Sequence, residues 1–251
     1  MTFERRHDGF DAVVDTSMPL ERVATGFGFT EGPIWHPVDQ YLIFSDMRHD
    51  HQRRWSAADG VTTFRFPSNK ANGSAFDRQG RVVSCEHATS RVVRVEADGA
   101  ETVLATHYGG RELNSPNDIV VKSDGAIYFT DPTYGRIRED IGLLREIPQP
   151  HQGVYRIDPD TGALDLLADD FWQPNGLCFS ADESRLFVND TPRFHVRVFD
   201  VFADGRLTGG AVWAETLDAA GEKPDGRKPD TPPGPAACTC SRRTPPVSAS
   251  R

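Results

Sequence analysis

Apolar positions in this chain fall into short runs bounded by Gly, Asp, Asn or Pro, and neighbouring runs group into a unit that recurs. Each unit opens on an acidic or amide residue followed by Gly or Asp. An apolar run, a turn and a second apolar run come next. The units open at Glu31-Gly32 (EGPIWHPVDQYLIFSD), Asn72-Gly73 (NGSAFDRQGRVVSCE), Asn117-Asp118 (NDIVVKSDGAIYFTD), Asn175-Gly176 (NGLCFSADESRLFVND) and Asp225-Gly226 (DGRKPD). Consecutive openings lie 41, 45, 58 and 50 residues apart. Turn-separated strands repeating at this length are the mark of a β-propeller.

The first unit predicts strands over 33–36, 41–46, 53–56 and 61–66, enough for one blade. The second predicts 74–77, 82–86, 92–96 and 101–105, with Gln79-Gly80 and Asp98-Gly99 as turns. Runs such as Leu42-Ile43-Phe44 and Ile119-Val120-Val121 are continuously apolar, as expected of strands packed on both faces. Residues 1–19 read as irregular, and alternation over 20–27 predicts a further short strand. Helical periodicity is weak; residues 138–147 could make one or two turns before Pro148 and Pro150 end them. The third unit is 58 residues long where the second is 45, and the excess lies in 131–151 (DPTYGRIREDIGLLREIPQPH). That excursion is either a plain surface loop or a lid over the channel mouth.

Composition narrows the class. The chain has 251 residues, 37% apolar and 26% charged, with a formal net charge of −9. This balance argues against nucleic acid or an anionic membrane as a partner. No run of about 18 apolar residues is present, and the N-terminus lacks the apolar core of a signal peptide. Cys85 and Cys178 stand alone in strand-like runs as buried thiols, and Cys238-Thr239-Cys240 lacks zinc or thioredoxin spacing. A reducing, cytoplasmic setting follows; the oligomeric state does not.

Serine-hydrolase and zinc-protease motifs are absent. His49 and His51 read as part of a solvated loop. His87 closes a second run and could reach the channel mouth; with Asn117 and with Tyr134 in the excursion it is a candidate to bind substrate. The opening residues form the strongest set. Glu31, Asn117, Asn175 and Asp225 share one station on four units, so they can face one another across the axis. Two carboxylates and two amide oxygens suit a hard divalent cation, Ca2+ above all, with Zn2+, Mn2+ or Mg2+ as alternatives. The other reading is that they are turn residues, where Asn, Asp and Gly are expected in any case. That reading leaves unexplained why Gly or Asp always follows.

EGPIWHP, SPNDIVVKSDGAIYFTDPTYG, QPNGLCFSADESRLFVNDT and KPDG together resemble the gluconolactonase family that includes regucalcin, over about residues 20–226. The resemblance implies a six-bladed all-β propeller that holds a divalent cation and hydrolyses small sugar-acid lactones. It implies Glu31, Asn175 and Asp225 as metal ligands, Asn117 beside the metal or substrate, and Asn72 standing off the metal. Asp225 is then the general base or the nucleophile. The related calcium phosphotriesterases, and a calcium-binding propeller without catalysis, are the alternative functions. In one position the chain departs from regucalcin, which carries an Arg two residues before its counterpart of Asn117; here that residue is Ser115.

The organisation expected is an irregular segment (1–19), an incomplete propeller (20–226) with about four complete blades, and a tail (227–251). The tail holds six prolines in 25 residues and no aromatic residue, a composition of disorder and of a shifted reading frame. On that reading the chain is a truncated lactonase, impaired or inactive, and residues 20–27 are left as an unpaired edge.

Overall fold

The structure, a computed structural model, describes residues 9–12, 14–18 and 21–216. Asp225, the fifth unit and the Pro-rich tail lie outside the described residues. Each of the first four units folds as an antiparallel meander of four strands. Blade 1 is β1 (Thr30–His36), β2 (Tyr41–Asp46), β3 (His51–Ser56) and β4 (Gly60–Arg65). Blade 2 is β5 (Ala71–Phe76), β6 (Val82–Glu86), β7 (Arg91–Val95) and β8 (Glu101–Ala105), followed by a small hairpin, β9 (His107–Tyr108) and β10 (Arg111–Glu112). Blade 3 is β11 (Ile119–Val121), β12 (Ile127–Asp131), β13 (Gln152–Ile157) and β14 (Leu164–Phe171). Blade 4 is β15 (Pro174–Phe179), β16 (Arg185–Asp190), β17 (His195–Val201) and β18 (Leu207–Glu215). The first strands β1, β5, β11 and β15 neighbour one another in series, while the last strand of each blade carries the more exposed side chains. This is an all-β propeller arrangement of four blades, with the first strands innermost.

Packing between blades explains the continuous apolar runs. Along β12, Ile127 and Phe129 join Val83, Cys85 and Val92 of blade 2, while the alternate Tyr128 joins Leu177, Leu186 and Phe199 of blade 4. Successive side chains point to opposite faces of a strand, so both sets leave water and both must be apolar. Blades 1 and 2 meet differently. Their apolar contact is smaller: buried Ile34, Ile43 and Val82 with half-buried Tyr41, Phe64 and Phe76 packed against them. Beside it the Gln52 amide donates to Ser74 Oγ at 3.1 Å and to Ser84 Oγ at 2.9 Å.

Two expected elements are corrected. Residues 21–27 carry no regular structure, because a strand needs a neighbour for its backbone groups and no described strand pairs with this segment. Phe27 instead sets its ring edge against Phe44, centroids 5.0 Å apart. The helical turn in the excursion is α1 (Tyr134–Ile137), ahead of the expected 138–147. Arg138 is already extended, with φ −131° and ψ 112°, and Leu143 N donates to Gly135 O at 2.8 Å. A Cβ on Gly142 would sit 1.9 Å from that same oxygen, so the segment folds back as a tight loop where a helix would separate these residues. His51, expected in a loop, opens β3 and stacks on Phe66 at 4.2 Å; His49 is exposed in the turn as expected.

Candidate active site at the channel end

Antiparallel pairing brings the opening of each first strand beside the close of the second. Thr30 pairs with Asp46, Ala71 with Glu86 and Pro174 with Asp190. Two sets of polar residues therefore share one end of the propeller: the opening residues foreseen from the repeat, and a second set that closes β2, β6, β12 and β16.

The opening set is knitted through the residue that follows each member. Gly32 has φ +52°, and a Cβ there would lie 2.1 Å from Asn72 O. A Cβ on Gly73 would lie 2.7 Å from Asn117 O, and Gly73 N donates to that oxygen at 2.7 Å. Asp118, in the same position on blade 3, accepts from Leu177 N of blade 4 at 3.2 Å. Glycine allows the close backbone approach between blades, and aspartate supplies the acceptor where a side chain fits. This is why Gly or Asp follows the opening residue. Ser45 Oγ donates to Asn72 O at 2.9 Å and Thr130 Oγ1 to Asn175 O at 2.7 Å, which fix the same backbone from the neighbouring blade.

Glu31 and Asn175 are half-buried, whereas Asn72 and Asn117 are buried. Between the last two stands His87, fully buried. Its Nδ1 lies 3.1 Å from Ile141 O. Its Nε2 lies 3.1 Å from Asn72 Nδ2 and 3.3 Å from Asn117 Nδ2. Burial pushes the His87 pKa down to about 4, with the Arg138 charge adding to the effect, so the ring is neutral at neutral pH. Tyr134 is half-buried at the start of α1.

The closing set is acidic in all four blades and wholly buried. Asp46 accepts from Gly28 N at 2.9 Å and contacts His49 Nδ1 at 2.7 Å. Glu86 accepts from Arg65 Nη1 at 2.8 Å and from Arg91 Nε at 2.9 Å. Asp190 accepts from Trp172 N at 2.8 Å and Gln173 N at 3.0 Å. Asp131 accepts from Asn114 N at 2.8 Å through Oδ2, while its buried Oδ1 has no partner among the described residues. Burial pushes the Asp131 carboxyl up to about 7. The signal for this set is in the sequence, since each second run ends in Asp or Glu.

The excursion is a fixed cap. Ser115 Oγ donates to Pro132 O at 2.6 Å and accepts from Gly135 N at 2.9 Å. Ser115 is thus buried and committed to holding α1. Arg136 is buried and donates to Glu112, Ser90, Glu146 O and Leu113 O. Gln149 Nε2 donates to Tyr108 O and Arg111 O, both at 3.0 Å, and Arg48 of blade 1 pairs with Asp140 at 3.2 Å. The segment from blade 3 is therefore tied to blades 1 and 2.

Among the described residues, no group of three or more His, Cys, Asp and Glu side chains could hold a metal ion. A site here would draw on Glu31, on the amides of Asn117 and Asn175, and on Asp225 outside the described residues. The donor chemistry fits a hard divalent cation: the set is oxygen only, and His87 engages the Nδ2 group of Asn117 and so leaves its carbonyl oxygen for another partner. No described helix is long and apolar enough to cross a membrane.

Residues 29–241 match the family described as the SMP-30/Gluconolactonase/LRE-like region. A gluconolactonase of Zymomonas mobilis is 34% identical over 197 residues, 73% of this chain and 54% of that protein. The chain thus spans about half the length of that curated relative. A solved gluconolactonase from Xanthomonas campestris superposes with a TM-score of 0.73 at 36% identity, covering 78% of this chain and 66% of the other. The calcium-binding protein regucalcin of Agrobacterium tumefaciens shares the fold, with a TM-score of 0.56, 19% identity and coverage of 77% and 60%.

Proposed function

Because the chain belongs to the SMP-30/gluconolactonase/LRE-like family, we propose that it works as a metal-dependent hydrolase opening a sugar-acid or related small lactone. The observation that carries the reading is the series of adjacent first strands, each opening on a hard oxygen donor at the capped channel end. Glu31, Asn117, Asn175 and Asp225 are the residues that would hold a divalent cation, Ca2+ in the first instance. Such an ion, when bound, polarises a lactone carbonyl and stabilises the charge that develops on its oxygen.

The chain's own residues do the rest. Asp225 acts as the base that takes a proton from the water adding to the carbonyl carbon, the proton passing to the ring oxygen as the acyl C–O bond breaks, or attacks that carbon directly to give an acyl intermediate that water then cleaves. Asn117 and Tyr134 contact the substrate, and the cap formed by 131–151 keeps bulk water from that side of the site. A lactone is an activated ester, so modest positioning gives useful rates.

The test is hydrolysis of glucono-δ-lactone followed by pH-stat. Turnover is expected to vanish with EDTA and to return with Ca2+, and Asp225→Asn is expected to lower it about 10²-fold, the scale of general-base catalysis. A folded protein that binds Ca2+ without opening lactones overturns the enzymatic reading in favour of a binding propeller.

A further inference from the structure

The position of His87 says more than its type. A carbonyl oxygen can only accept, so the 3.1 Å contact between His87 Nδ1 and Ile141 O requires the proton on Nδ1. In a neutral ring Nε2 is then a bare acceptor. Both groups facing it, on Asn72 at 3.1 Å and Asn117 at 3.3 Å, must present N–H. An amide whose nitrogen is held in this way has its carbonyl oxygen turned from the ring. The ring itself cannot swing: a Cβ on Gly135 would lie 2.6 Å from His87 Cβ and 2.7 Å from its Cγ, so α1 is packed directly against it. Arg145 Nη2 also holds His87 O, at 3.1 Å.

We propose that His87 is a positioning residue, with Ile141 of the cap as the lock on its tautomer, and that it fixes the amides of Asn72 and Asn117 as a matched pair with their carbonyl oxygens free for the cation or substrate. The inference rests on the hydrolase reading for its purpose and on hydrogen bonding for its geometry. It also gives Asn72 a place in the site, because the same nitrogen orients it and Asn117 alike. The cap thereby acts on the chemistry without touching the reacting atoms. Outer hydrogen bonds of this kind are worth about 10–100-fold in metal affinity where they have been removed.

The first measurement is 15N NMR of the full chain labelled at histidine, with the His87 signal assigned by its loss in His87→Gln. The Nδ1–H tautomer is expected; an Nε2–H tautomer overturns the proposal whatever the protein catalyses. The second is calorimetric titration with CaCl2. His87→Phe, which keeps the bulk and loses both ring nitrogens, is expected to bind at least about 10-fold more weakly with unchanged near-UV circular dichroism. His87→Gln, which restores an acceptor, is expected to recover most of that loss. Wild-type affinity in a folded His87→Phe overturns the proposal. Should His87→Phe fail to fold, the tautomer and the His87→Gln affinity decide. Calcium binding without lactone turnover in the wild type removes the hydrolase reading and leaves the positioning role standing, and a chain that binds no Ca2+ leaves the tautomer to decide.

Discussion

Two rings of oxygen-bearing residues lie at one end of this propeller, and they are equally regular in sequence. The opening ring is Glu31, Asn72, Asn117 and Asn175; the closing ring is Asp46, Glu86, Asp131 and Asp190. The closing ring carries more charge, yet its carboxylates are largely occupied by backbone N–H groups and by Arg65, Arg91 and Arg193. In the opening ring the buried amides give their nitrogens to His87 and keep their oxygens. Regular spacing of polar residues thus identifies a shared structural station. Which partners each atom already has separates a clasp from a ligand.

The contrast breaks most sharply at Glu86. Glu86→Ala takes from Arg65, only 9% exposed, its buried carboxylate at 2.8 Å and leaves it the more exposed Glu101 at 2.7 Å. A loss of about 1.5–3 kcal/mol in urea unfolding is expected, the scale of a lost hydrogen bond to a charged group, and an unchanged unfolding free energy would remove the clasp reading. In the opening ring the order of effects is reversed. Asn175→Ala is expected to cost about 10²-fold in kcat/KM, the scale of one lost electrostatic stabiliser, with little change in melting temperature. A variant that melts early while keeping its turnover would place Asn175 with the clasps.

Asp131 sharpens the comparison with a smaller effect, because one of its carboxylate oxygens has no hydrogen-bond partner among the described residues. Its folded pKa is raised from 3.8 to about 7, so the native state holds a proton that the unfolded chain releases. The resulting stability is fully present below the unfolded pKa and is lost as pH rises through about 7. Asp131→Asn stays neutral and should flatten that slope, stabilising the fold above about pH 7 and changing little near pH 4. Parallel slopes for variant and wild type, measured by chemical unfolding across this range, would contradict the assignment.

Much of this was legible in the chain. The apolar runs located the strands of blades 1 and 2 within a few residues, because burial on both faces leaves a continuous signature. The opening ring was legible because a repeat exposes its own constant positions. The closing ring was equally visible at Asp46, Glu86, Asp131 and Asp190, but its meaning lay in contacts to backbone groups at Asp46, Asp131 and Asp190, which carry no residue signature, and to Arg65 and Arg91 at Glu86. His87 illustrates the limit more fully. The residue that fixes its proton, Ile141, lies 54 positions away and contributes only a carbonyl, which any side chain there would have supplied. Residues 20–27 mark the opposite failure. Alternation is a necessary feature of a half-buried strand, and without a neighbour to ladder with it does not make one.

The polar seam between blades 1 and 2 has a consequence for how the molecule loosens. In an array of stacked units, stability divides into terms for each unit and for each junction. The junctions on either side of blade 3 rest on broad apolar clusters, whereas the first joins a smaller cluster, Ile34, Ile43 and Val82 with Tyr41, Phe64 and Phe76, to the Gln52–Ser74–Ser84 cluster and the Arg65–Glu86 pair. Apolar burial is the larger part of what holds units together, so blade 1 is the described blade whose attachment depends most on polar contacts. Its amides are expected to exchange with solvent ahead of those of blades 2 to 4, measured by native-state hydrogen exchange. Glu31 lies on this blade, so the geometry of the opening ring at its one described carboxylate is expected to follow the polar seam, while the amides under the cap follow the apolar core.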